Sequence, residues 1–244
     1  MVRIEPLFTP QECEGIVATI DSIRDVWHSY TDPRDNKRKY LDVYTLLPFA
    51  CEPIRRMYEQ ASALQPLEPT WNAVCQRLGE LFSKPVKILP NLVHPTFIVF
   101  AKKFQCNRSL PHRDGLDFLI EECIKRDTVK SVTIPVKLSG KGDDGLGYWT
   151  EDLNEQDGFV LWRSFVEASY NCNFDEHSKL QDYFETLPEY RYQPYEVGNL
   201  YMQEFPLGLF HQVHASPGHD RYTLQAWVAE SKFDDSMILF QKHG

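Results

Sequence analysis

The run Pro111-His112-Arg113-Asp114-Gly115 places an imidazole and a carboxylate two residues apart, and two more histidines, His211 and His214, stand about a hundred residues on. In an extended segment residues i and i+2 project to the same side. His112 and Asp114 therefore reach one ion while Arg113 points elsewhere. Two imidazoles and one carboxylate fill one face of an octahedral Fe(II) and leave the opposite face open for chemistry. His-x-Asp alone is also an ordinary surface turn, and its weight comes from the downstream segment Phe210-His211-Gln212-Val213-His214. A second chemical feature follows at Asp220-Arg221-Tyr222-Thr223. Arginine presents a planar fork of donors that matches a carboxylate in two-point contact. In a strand Arg221 and Thr223 share one face with Gln225, while Leu224 and Ala226 take the other. A polar Gln225 on that face suits a lined cavity better than a dry core.

The elements that must position these residues are short. Thr9-Pro10-Gln11-Glu12 starts a helix, with Thr9 as cap, Pro10 at the first position and Glu12 closing a capping box. Ile16, Val17, Ile20 and Ile23 give that helix one apolar face. Residues 40–47 alternate in part as a strand does, and residues 52–64 fit a second helix. Glu68-Pro69-Thr70 opens a third, running to Phe82 with Val74, Leu78 and Leu81 on one side. Strand patterns then take over at 86–89, 96–101 and 130–138, with a short helix expected at 116–126. Glycine at four of residues 140 to 147 marks a flexible loop. The acidic, aromatic stretch at about 146–195 reads either as a lid-like insertion or as a plain surface excursion. Residues 199–205, 209–215 and 222–229 are three successive strands. Many short strands with turn signals, and few long helices, favour a jelly-roll pair of sheets. The expected organisation is one domain over 1–244: a mostly helical flank at 1–85, a jelly-roll core at 86–230 and a C-terminal tail at 231–244.

A chain of 244 residues with 42% hydrophobic and 25% charged residues builds a packed core. The net charge of −9 points away from nucleic acid, whose affinity rests on clustered Lys and Arg. The six cysteines form no Cys-x-x-Cys pair, which fits free thiols in a reducing cytoplasm. No apolar run has the length of a membrane span.

The order His112-Arg113-Asp114, then Gly198-Asn199-Leu200-Tyr201-Met202, then His211-Gln212-Val213, then Gly218-His219-Asp220-Arg221-Tyr222-Thr223-Leu224 resembles the Fe(II)/2-oxoglutarate-dependent dioxygenases over roughly residues 95–230. The resemblance implies a double-stranded β-helix core that is mainly β, with the N-terminal helices packed outside its larger sheet. It implies His112, Asp114 and His211 as iron ligands, His211 rather than His214 because it stands ten residues before Arg221. It implies that Arg221 and Thr223 bind the distal carboxylate of 2-oxoglutarate, and that O2 is the oxidant source. The carboxylate at Asp114 favours hydroxylation over halogenation; desaturation, ring closure and epoxidation use the same triad. The expected partner is a small molecule, by analogy an amino acid or a metabolite derived from one, with neither nucleic acid nor membrane involved and the oligomeric state open. Tyr148, Trp149 and Arg163 are candidates for its pocket, and Lys102, Lys103 or Phe104 for a further co-substrate contact, though solvated lysines are the plainer reading. Rival readings are an iron oxidase or cyclase that spares 2-oxoglutarate, a peptidyl hydroxylase, and a silent jelly-roll binding module.

Overall fold

The computed structural model describes residues 2–23, 28–30, 43–45, 65–88, 122–138, 140–150, 182, 185–203, 210–214 and 221–240. Within these the chain is mostly β, with two α-helices. The strands are β1 (Val2–Pro6), β2 (His28–Tyr30), β3 (Val43–Thr45), β4 (Val86–Ile88), β5 (Lys130–Lys137), β6 (Gly145–Trp149), β7 (Tyr190–Pro194), β8 (Asn199–Gln203), β9 (His211–His214), β10 (Tyr222–Glu230) and β11 (Met237–Phe240). The helices are α1 (Pro10–Ser22) and α2 (Glu68–Phe82). Neither described helix is long and apolar enough to cross a membrane.

Six strands form one sheet in the order β1-β8-β5-β10-β11-β4; three form a second, β7-β6-β9; β2 and β3 pair by themselves. All described pairings are antiparallel except β11 with β4.

Period-two alternation decides what each face of the six-stranded sheet touches. Tyr222, Leu224, Ala226 and Val228 of β10 join Val132, Ile134 and Val136 of β5 and Leu200 and Met202 of β8 in one cluster. Cys13, Ile16 and Ile20 of α1 and Trp71, Val74 and Leu78 of α2 belong to the same cluster. Burying aliphatic side chains of this size stabilises the fold by about 2 kcal/mol each. The alternate residues Thr223 and Gln225 of β10, Ser131 and Thr133 of β5 and Gln203 of β8 face the other way and line a cavity.

Helix α1 begins as its sequence dictates. The Thr9 hydroxyl accepts from the Glu12 backbone N–H, and the Glu12 carboxylate accepts from the Thr9 N–H at 2.8 Å. Arg77 of α2 pairs with Glu12 and donates to the Leu7 carbonyl, tying the two helices to the end of β1. Together the Arg77 guanidinium and the Thr9 donors pull the Glu12 carboxyl down to about 2.

Three stretches differ from the sequence expectations. Val2–Pro6 is an edge strand within the supposedly helical flank, paired along β8. Met237–Phe240 is a fully buried strand between β10 and β4 rather than part of a tail. The described end of the helix expected at 116–126 is a turn, with Ile124 bridged to Ser231 and a 3-10 turn at Arg126–Thr128. The expected helix over 52–64 and strand over 96–101 lie outside the described residues.

Gly198 locks the start of β8 to the first turn of the chain. Its carbonyl accepts from the N–H groups of Leu7 and Phe8, both at 2.9 Å, and its own N–H donates to Pro135 at 2.8 Å. Its φ is +84°, and a Cβ there would lie 2.1 Å from the Phe8 carbonyl oxygen. We expect Gly198→Ala to destabilise the protein by about 3 kcal/mol or more, read as a lower urea midpoint. An unchanged midpoint would show that this junction yields without cost.

Candidate functional site

The cavity lies between the two sheets. The six-stranded sheet contributes Ser131, Thr133, Gln203, Thr223 and Gln225, and the three-stranded sheet contributes Leu146, His211 and Val213. Arg221 and Tyr195 complete the lining. It is narrow, with room for about one water.

Strand β9 sorts its two histidines. His211 and Val213 point into the cavity; Gln212 and His214 occupy the other face of the same strand. His211 is 3% exposed. His214 instead meets the Tyr190 hydroxyl at 2.9 Å and the Gln212 amide nitrogen at 3.1 Å, with Glu185 3.8 Å away. The Tyr192 ring packs edge-on against it at 4.9 Å.

Arg221 stands immediately before β10, where a β-bulge at Tyr222/Thr223 shifts the register. One guanidinium nitrogen donates to the His214 carbonyl at 2.9 Å. The same guanidinium lies 5.5 Å from the centre of the Tyr195 ring, within reach of a cation–π contact. Burial pushes the Arg221 pKa below its ordinary value, and the neighbouring Tyr195, Asp144 and Tyr192 oppose that shift. Burial pushes the Tyr195 phenol up to about 12, so it stays a protonated donor. Two residues along from Arg221, the Thr223 hydroxyl is buried and has no hydrogen-bond partner among the described residues. A buried hydroxyl without a partner costs about 1–3 kcal/mol, which is expected where a ligand supplies the missing bond.

His211, Arg221 and Thr223 thus converge on one cavity. Their levels in the sheets fit an elongated guest. Arg221 bonds the carbonyl of His214, and His211 stands three residues up β9, about 10 Å at the rise of a strand. Gln225 is also at the cavity wall, opposite Thr133 of β5. Among the described residues no three of His, Cys, Asp and Glu are grouped to hold a metal. The other two proposed ligands, His112 and Asp114, lie outside the described residues, as do Arg113, Arg163, Lys102, Lys103 and Phe104.

Of the remaining candidates, Tyr148 pairs with His211 across β6 and β9 and is half-buried. Trp149 is 1% exposed and turns to the opposite face, against Tyr190 and Phe210. Both ends of the stretch read as a lid, β6 and β7, are strands of the cavity-lining sheet. Tyr195, Ser131, Thr133 and Gln203 were not singled out in the sequence. Ser131 and Thr133 had a signal, as the polar half of an alternating strand, and Gln203 had one as a polar residue ending an apolar strand. Tyr195 directly follows β7, with its N–H on the Asp144 carbonyl at 2.9 Å, and carries no local signal.

The six-strand and three-strand arrangement is similar to solved structures. HygX from Streptomyces hygroscopicus, with nickel and 2-oxoglutarate bound, superposes with a TM-score of 0.51 at 14% identity, covering 93% of this chain and 81% of HygX. AviO1 from Streptomyces viridochromogenes Tue57 gives 0.47 at 12% identity over 94% and 89% of the two chains. An N-substituted L-amino acid dioxygenase from Burkholderia ambifaria AMMD gives 0.45 at 13% identity over 98% and 86%. No family model and no curated protein sequence matches the chain. At these identities the likeness to HygX is one of fold.

Proposed function

We propose that this chain is an Fe(II)- and 2-oxoglutarate-dependent oxygenase on a double-stranded β-helix scaffold, hydroxylating an unactivated carbon of a small molecule. The observation that carries this reading is the convergence of His211, Arg221 and the partnerless Thr223 hydroxyl on one cavity between two sheets. HygX, whose structure holds nickel and 2-oxoglutarate, has a similar fold and supports it.

The residues fit the groups they would hold. His211 supplies a buried imidazole, and His112 and Asp114, chosen on their His-x-Asp spacing, would complete the ligand set. Bound there, iron and 2-oxoglutarate together supply the means to reduce O2 and oxidise a carbon–hydrogen bond, releasing succinate and CO2. Arg221 offers a fixed cation with a planar fork for the distal carboxylate. Thr223 supplies a hydroxyl donor beside it. Tyr195 offers a phenol that burial keeps protonated. Leu146 and Val213 keep the wall between Arg221 and His211 apolar, which lowers the local dielectric and strengthens the charge contact. For a dicarboxylate to be seated, the side chains around the narrow cavity must move apart. An amino acid or a metabolite derived from one is the substrate class we favour.

The test is an anaerobic titration of metal-free protein with Fe(II) and then 2-oxoglutarate, watching for the visible iron-to-keto-acid charge-transfer band. We expect the band to appear and to saturate with one equivalent of each. Iron binding without the band would move the chain to an iron enzyme that spares 2-oxoglutarate. No iron binding would make it a binding module.

A further inference from the structure

Among the described residues Asp144 is the one buried carboxylate and Arg221 the one buried guanidinium, 3% and 2% exposed. Co-substrate binding as proposed above engages only the second. Sheet register brings the two to one corner. Gly145 of β6 pairs with Pro194 of β7, and the Tyr195 N–H continues that ladder onto the Asp144 carbonyl at 2.9 Å. Residues directly opposite in an antiparallel pair share a face, and Tyr195 lines the cavity. Leu146, two residues on from Asp144, lines it too. Both relations turn the Asp144 side chain to the cavity face of the sheet, at the start of β6.

Arg221 reaches the same corner from the other side. Gly145 also pairs with His214 of β9, whose carbonyl accepts from Arg221 at 2.9 Å. The guanidinium stands 5.5 Å from the centre of the Tyr195 ring, so Asp144 and Arg221 are both neighbours of Tyr195. Asp144 is near enough to oppose the effect of burial on the Arg221 pKa. A buried carboxylate is costly unless it meets an opposite charge, and a guanidinium cannot shed its charge by losing a proton. Asp143 is the contrast, with an exposed side chain. Backbone carbonyls at 143 and 144 tie this turn to the Tyr192 hydroxyl and the Tyr195 N–H. Asparagine at 144 keeps those ties and removes only the charge.

We propose that Asp144 is the resident counter-ion of Arg221, so that a guest carboxylate competes with one the protein already holds. The proposal rests on the reading of Arg221 as the seat of a dicarboxylate. In the empty protein each charge offsets the cost of burying the other. A carboxylate arriving at the guanidinium brings a second negative charge into the same corner, where water does little to screen it, and Asp144 repels it. Asp144 thus stabilises the empty cavity and weakens the guest. A residue that only shaped the turn would move both in the same direction.

The experiment titrates the full chain calorimetrically with glutarate, which has the two carboxylates of 2-oxoglutarate without the keto group and therefore needs no iron to bind. We expect Asp144→Asn to bind glutarate about tenfold more tightly, although its urea midpoint without guest is lower than the parent's. Asp143→Asn should change neither. Arg221→Ala should abolish glutarate binding and also lower the midpoint, since it leaves Asp144 buried without its partner. Combining Asp144→Asn with Arg221→Ala should recover the midpoint that either change alone loses, a result that holds even if a single variant is too unstable to titrate. Glutarate binding that is unchanged or weaker in Asp144→Asn, or a combined variant whose losses simply add, overturns the counter-ion; the proposed function stands if Arg221→Ala still abolishes binding. Glutarate that binds neither the parent nor Asp144→Asn, or that binds regardless of Arg221→Ala, overturns both.

Discussion

Replacing His211 with alanine is expected to abolish iron-dependent turnover, while His214→Ala leaves a protein that still binds iron. The two residues are three apart on one strand, so the pleat sends their side chains to opposite faces. His211 reaches the cavity shared with Arg221 and Thr223, and His214 is engaged by Tyr190 and Gln212 on the far side. Loss of a partner that merely orients a metal ligand already costs 10–100-fold in affinity. Removing the ligand itself should weaken Fe(II) binding by at least about 100-fold. His214→Ala keeps the backbone carbonyl that holds Arg221. Its cost is the broken outer network, about 1–2 kcal/mol of stability. Fe(II) titration under argon, with succinate release as the second readout, separates the two. An inactive His214→Ala beside an active His211→Ala would overturn the ligand assignment.

Legibility in the sequence followed the period-two rule. Arg221, Thr223 and Gln225 were readable as one wall because Leu224 and Ala226 between them are apolar, whereas the choice of His211 over His214 came from its ten-residue spacing to Arg221. Strand β6 was hidden by glycine. Gly145 and Gly147 suggested flexibility, yet they lie in a strand whose neighbours close over it. A Cβ at 145 would lie 2.5 Å from the Tyr192 hydroxyl, and one at 147 would lie 2.6 Å from that of Tyr190. The absent side chains are a condition of packing between β6 and β7, and packing across strands has no trace within a short window of sequence. Strand β11 was hidden by brevity. Met237–Phe240 has four residues after a charged turn, and only its place between β10 and β4 makes it interior. Tyr195 reaches the site by extending the β7–β6 pairing one residue past Pro194, with its N–H on the Asp144 carbonyl. Its role depends on where Arg221 and Tyr201 end up, the latter 4.7 Å away ring to ring.

Arg221→Ala should raise the Kd for 2-oxoglutarate by about 100-fold, the equivalent of about 3 kcal/mol for a two-point, charge-assisted contact. The guanidinium is held before the ligand arrives, with one nitrogen on the His214 carbonyl and the face near Tyr195, so little ordering is spent on binding. Arg221→Lys keeps the charge and loses the fork, and should fall between, about tenfold weaker than the parent. Thr223→Val distinguishes a ligand contact from a structural one. The threonine hydroxyl is buried without a partner, so replacing it with a methyl group removes an unmet polar group and should leave unfolding stability unchanged or higher. Affinity for 2-oxoglutarate should nevertheless drop by about fivefold, the loss of one neutral hydrogen bond of about 1 kcal/mol. Isothermal titration with Fe(II)-loaded protein measures the affinities, and urea midpoints measure the stabilities. A 2-oxoglutarate affinity indifferent to both Arg221→Ala and Thr223→Val would remove the co-substrate from this cavity, since no other guanidinium faces it among the described residues.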